Sequence, residues 1–188
     1  MNAVAMDQRN KVHPHKFTLW MGIGSILMMF AGLTSAFIVK KNQANWISFE
    51  LPSVFWYSTL AIILSSASMI YASRAFRDRN MKRYRQLLAT TALLGLVFVT
   101  LQTIGFVDMW KQGLTVNSSV SVSFLYVIVG VHALHVLGGI VALIVMVLKA
   151  FSRKEKIYSS VPVQLAGTYW HFVDLLWVYL LVFLVMIR

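Results

Sequence analysis

Two short stretches hold residue types that could do chemistry. GVHALHVLGG, Gly130 to Gly139, carries His132 and His135 three positions apart, so both imidazoles project from one side if the segment is helical. YWHFVDLLWVYLL, Tyr169 to Leu181, sets His171 and Asp174 in an otherwise apolar and aromatic run. Three uses of these groups are open on residue types alone. Two imidazoles on facing helices, His132 or His135 with His171, could ligate a haem. A metal site would need a third ligand, for which Asp174 is the nearby carboxylate. The third use is a hydrogen-bonded interhelical cluster that fixes packing.

The elements that must position these groups are membrane helices. Of 188 residues, 59% are hydrophobic and 12% charged, which is far outside the balance of a soluble domain. Five apolar stretches approach the ~20 residues needed to cross a hydrocarbon core. They cover residues 17–39, 54–75, 87–108, 122–149 and 161–187. Pro52 and Pro162 sit at the starts of the second and fifth, where a missing N–H costs little. The connections are too short to hold another folded unit, so residues 1–188 are expected to form a single all-α membrane domain. No cleavable signal pattern precedes the first span, which is expected to stay in place.

Charge placement gives the expected orientation. Of the 17 Lys and Arg, three precede the first span, six lie in the second–third connection and the span ends beside it, and four lie in the fourth–fifth connection and the span end beside it. The opposite side receives two, one and one. Cytoplasmic loops are enriched in these residues, so the N-terminus is expected inside and the C-terminus outside. The net charge of +11 is therefore read as topology and as anchoring to an anionic lipid surface, not as nucleic-acid binding. Cysteine is absent, which excludes disulfides, thiolate metal sites, iron–sulfur clusters and thiol nucleophiles.

Counting ~1.5 Å per residue from the expected span ends puts His135 and His171 in the middle of the bilayer. Ionisable groups at that depth are costly and call for partners. Because the fourth and fifth spans are sequence neighbours, their polar stripes are expected to face each other, with Asp174 hydrogen-bonded to a histidine. The stripe on the fifth span runs Gln164, Gly167, His171, Asp174 and Val178; that on the fourth continues to Gly139 and Ala142. Ser58, Thr59, Ser65, Ser66 and Ser68 in the second span are expected to pack against other helices. So are Ala31, Gly32, Ser35 and Ala36 in the first. Gln102 is expected to accept an interhelical hydrogen bond. Trp46, Trp56, Tyr57, Trp110, Tyr126 and Tyr158 are expected as interfacial belts. The ten methionines form no paired motif and are read as packing.

YWHFVDLLW together with HALHVLGG resembles subunit III of the haem-copper terminal oxidases, cytochrome c oxidase in particular. The likeness extends to LWMGIGSILMMFAGLTSAFIV, FWYSTLAIILSS and LLGLVFVTLQ in the first three spans. The five-span arrangement is similar to the short bacterial form of that family. The resemblance implies a non-catalytic accessory subunit of a bacterial inner membrane, with no catalytic, metal or cofactor-binding residue of its own. Haem and copper are expected in partner subunits I and II. A small fourth subunit and a larger respiratory supercomplex are further partners it suggests, and bound phospholipid is expected. His132, His135, His171 and Asp174 carry over as a structural polar cluster; Gln102, Gln164, Trp56 and Trp170 carry over as lipid or interhelical contacts. Ile26, Gly105 and Gln164 stand where many family members place glutamates, so a proton-gathering role for those carboxylates is not implied here. Two other readings share the same motifs: a subunit-III-like protein of a nitric oxide reductase, and a membrane haem protein carrying electrons.

Overall fold

A computed structural model describes residues 14–41, 52–116, 118–151 and 160–187. It contains five α-helices and, among the described residues, no strand. They are α1 (Pro14–Lys40), α2 (Val54–Arg77), α3 (Met81–Lys111), α4 (Val120–Phe151) and α5 (Val161–Ile187). All five are long and apolar enough to cross a membrane. The first four exceed the apolar stretch expected from sequence at one end or both, because polar first and last turns continue the helix past the hydrocarbon-length run, while α5 has the expected bounds. Trp46 and Tyr158 lie outside the described residues.

The ends follow local chemistry. Pro14 opens α1, where its fixed φ suits a first turn and its missing N–H is not needed. Asn80 caps α3 by accepting a hydrogen bond from the Arg83 N–H at 3.3 Å. The α2–α3 turn is tight: Asn80 N–H donates to the Ala75 carbonyl, and Arg79 takes a left-handed backbone with φ 55°. The same closure ends α3, with Gly113 at φ 82° and Leu114 N–H donating to the Met109 carbonyl. Glycine takes this conformation without strain, whereas arginine does not.

Helices α2, α3, α4 and α5 close a ring in which each packs on its two neighbours, α2 lying against α5. The α2–α3 hairpin is the most extensively packed pair. Helix α1 lies outside this ring and touches only α4 and α5. Its buried stripe is Ile23, Phe30, Thr34 and Phe37. The four small residues expected to pack in this helix, Ala31, Gly32, Ser35 and Ala36, are instead exposed, and no heavy atom lies within 4 Å of a Cβ built on Gly32. Bulky aromatic side chains reach α4 and α5 where small residues would have brought the backbones together: Phe37 sets its ring against Phe124 and Phe183.

Candidate functional site

The chemistry-bearing residues lie on α4 and α5, and two tryptophans of α5 organise the space around them. Trp170 is fully buried and donates its Nε1–H to Ser65 Oγ of α2 at 3.1 Å. Ser65 in turn donates to the Thr91 carbonyl of α3 at 3.1 Å. The Trp170 ring fits between two glycines: a Cβ on Gly95 of α3 would stand 2.8 Å from Cη2, and one on Gly139 of α4 would stand 3.0 Å from Cε3 and Cζ3. One side chain thus joins all four ring helices at one level. Trp177, two turns along, repeats the device. Its Nε1–H donates to Thr59 Oγ1 of α2 at 2.9 Å. Its ring stacks on Phe55 and on His132, with Phe98 at its edge.

His132 is therefore part of an aromatic stack. Its ring centroid lies 5.3 Å from Trp177 at 27°, and the edges of Phe30 and Phe98 flank it. Both of its nitrogens are buried without a hydrogen-bond partner. His135 is half-buried and sets Nδ1 2.8 Å from the Val131 carbonyl one turn back in its own helix. The ring of His135 meets Phe30 of α1 edge-on at 5.9 Å.

His171 turns elsewhere. Its Nδ1 lies 2.7 Å from Ser66 Oγ of α2, and the ring is half-buried on the α2–α5 seam. The expected meeting of the two polar stripes, with His171 facing α4, does not occur. The physical reason is that α5 packs between α2, α4 and α1, and the position next to Trp170 is rotated by about 100° toward α2. Asp174 is buried, and neither carboxylate oxygen has a hydrogen-bond partner. The hydrogen bond expected between Asp174 and a histidine is absent. Three of the four residues thus divide between an aromatic stack (His132), the α1 side of α4 (His135) and the α2–α5 seam (His171), while Asp174 is buried one turn along α5 from His171. Among the described residues, no three His, Asp or Glu converge on a point that could hold a metal.

The other expected contacts divide as well. Gln102 makes an interhelical bond, donating from Nε2 to Ser58 Oγ at 2.8 Å, with its Oε1 left unpartnered. Ser68 donates to the Leu87 carbonyl, so Ser58, Thr59, Ser65, Ser66 and Ser68 each carry a polar contact across to α3 or α5. Ser58 and Thr59 also donate to the Phe55 carbonyl of their own helix. Gln164 is exposed and bonds only to Ser160 near the start of its own helix. Trp56 is exposed, as are Tyr57 and Trp110. Sequence reasoning missed Trp177, whose spacing of seven from Trp170 on one helix face was the available signal. Gly105 is buried against Phe55, whose ring would lie 3.1 Å from an added Cβ, so no larger side chain fits there without displacing that ring.

With this geometry in place, comparison with known proteins is decisive. The family model for cytochrome c oxidase subunit III matches residues 16–187. The chain belongs to the cytochrome c oxidase subunit III family. Cytochrome c oxidase subunit 3 of Bacillus sp. (strain PS3) is 26% identical over 86% of the chain and 80% of that relative. The Bacillus subtilis subunit 3 is 26% identical over 94% of the chain and 86% of that protein. A probable subunit 3 from Mycobacterium tuberculosis is 29% identical, covering 88% and 84%. Family membership and the five apolar helices make this a multi-pass membrane protein that associates with other oxidase subunits.

Proposed function

We propose that this chain is the non-catalytic subunit III of a proton-translocating aerobic terminal oxidase, in a complex where subunits I and II reduce oxygen to water. The observation that carries this reading is the subunit III family match across residues 16–187. The interior supports it. Both histidine motifs go into packing: His132 into a stack with Trp177, and His171 into a bond with Ser66. The chain stabilises subunit I and sustains proton uptake, and the redox chemistry stays with its partners. It sits in the bacterial inner membrane as one membrane domain, with the N-terminus inside as its Lys and Arg distribution indicates. Membership of a larger respiratory assembly follows from the same reading.

Lipid binding has a candidate place. An apolar groove of about 370 Å³ opens between the N-terminal halves of α1 and α5, lined by His15, Thr18, Leu19, Gly22, Ile23, Ile26, Leu165 and Tyr169. Ile26, one of the three positions without the family glutamate, lies in its wall. A tagged copy of the chain, purified in mild detergent, is expected to bring down haem-copper subunits with oxygen-consuming activity. Nitric oxide reductase subunits in their place, or a Soret band from the chain alone after washing, would refute this reading.

A further inference from the structure

The α2–α5 seam presents a hydrogen-bonding group where lipid offers none. His171 stands about ten residues into α5, ~15 Å from its start and near mid-bilayer. Its Nδ1 is engaged by Ser66, while Nε2 has no hydrogen-bond partner among the described residues and the ring is half-buried. Ser73, also half-buried, lies on the same side of α2 as Ser66, two turns along and beside Gly167. Three outward-turned hydroxyls of α3 are satisfied internally: Thr90, Thr100 and Thr103 each donate to a carbonyl of their own helix. His135, the other half-buried imidazole, is covered by the edge of Phe30. The outer face of α4, with Leu134, Val141 and Leu148, is apolar throughout.

We infer that the α2–α5 seam is the docking face for a transmembrane helix of another oxidase subunit, one carrying a hydrogen-bonding side chain that meets His171 Nε2 at mid-bilayer depth. Acyl chains cannot satisfy that nitrogen, and a polar group left bare in hydrocarbon is costly. The geometry suits a helix. Ile63 and Ile70 of α2 and Leu175 of α5 are exposed apolar side chains flanking Ser66 and His171, giving a polar centre between apolar shoulders. Such a centre specifies register, because a helix shifted by one turn would leave both its own polar group and His171 unpaired.

The inference rests on the oxidase-subunit reading, and the test separates the two. Photo-crosslinking p-benzoylphenylalanine is placed at Leu175 or Ile63, and at Val141 on α4 as reference, in the tagged chain within its purified complex. Copurification of the unsubstituted chain is scored first; if no oxidase subunit comes with it, the functional reading fails before the seam is tested. Given a complex, an adduct with another subunit at Leu175 or Ile63 is expected, whatever Val141 gives. Adducts at both seam positions confined to lipid, or to a second copy of this chain, would overturn the inference. In parallel, His171→Leu is expected to lower the amount of partner subunit retained on washing about threefold, the weight of one interhelical hydrogen bond in a bilayer. Its own helicity checks that it folds. Unchanged retention by a folded His171→Leu chain would count against the seam.

Discussion

Gly95→Ala tests the packing around Trp170 most directly. The added methyl would stand 2.8 Å from Trp170 Cη2 and 3.1 Å from Cζ2, against the ~3.5–4.0 Å of ordinary carbon contacts. The ring has nowhere to retreat. On its other side Gly139 is already so close that a Cβ there would lie 3.0 Å from two ring atoms, and Ser65 holds the indole N–H at 3.1 Å. Overpacking costs about 1–3 kcal/mol, and a contact under 3 Å against a ring held on its other side belongs at about 2–3 kcal/mol. The higher helix propensity of alanine offsets up to about 1 kcal/mol of that. A net loss of about 1–2 kcal/mol is expected, equivalent to a roughly five- to thirtyfold fall in the folding equilibrium. The assay is reversible unfolding of the purified chain in mixed micelles, titrated with a denaturing detergent and followed by far-ultraviolet circular dichroism. Gly32→Ala in α1, where nothing lies within 4 Å of the new Cβ, should be neutral or slightly stabilising. Adding Trp170→Phe to Gly95→Ala should cost less than the two single losses combined, because the smaller ring removes the clash. Additivity within about 0.5 kcal/mol, or a Gly95→Ala chain as stable as the parent, would refute the wedge.

Two further outcomes are expected. Arg79→Gly should stabilise the α2–α3 turn by about 1 kcal/mol, since Arg79 holds φ 55° and glycine does so without a Cβ penalty; the same detergent titration measures it, and a loss of stability would show that the side chain contributes more than the strain. Asp174→Asn keeps shape and burial while removing the buried acid. It should weaken assembly or long-term turnover of the complex and leave its haem spectrum in place, and immediate loss of all oxygen reduction in a fully assembled complex would contradict a supporting role.

The five helices were legible in the sequence because the bilayer fixes their length, and no soluble-protein pattern is needed to find them. Helix ends were partly legible: Pro14 and Gly113 obey simple rules, while Arg79 occupies a position that those rules assign to glycine. Gln102 bonds across helices, donating to Ser58 where it was expected to accept. What failed was the direction each polar residue faces. Ala31, Gly32, Ser35 and Ala36 turn outward and Phe30 and Phe37 turn inward, because lipid is as apolar as the interior and composition does not distinguish the two sides of such a helix.

By itself, then, the sequence determined the number of membrane helices, their approximate extents and which residues share a side of each: His132 with Gly139, and Gly167 with His171 and Asp174. Those facts depend on hydrophobic length and on the 3.6-residue turn, both properties of one helix alone. Only the tertiary structure decided which helix each side meets. His171 pairs with Ser66, more than a hundred positions earlier, because α2 and not only the neighbouring α4 packs against α5. His132 stacks on Trp177 instead of bonding to Asp174, because the ring of four helices brings their aromatic faces together at that level. A repeat along one helix gives angles about its own axis. Where that axis stands among the others is set by side-chain fit between segments distant in the chain, such as Trp170 between Gly95 and Gly139.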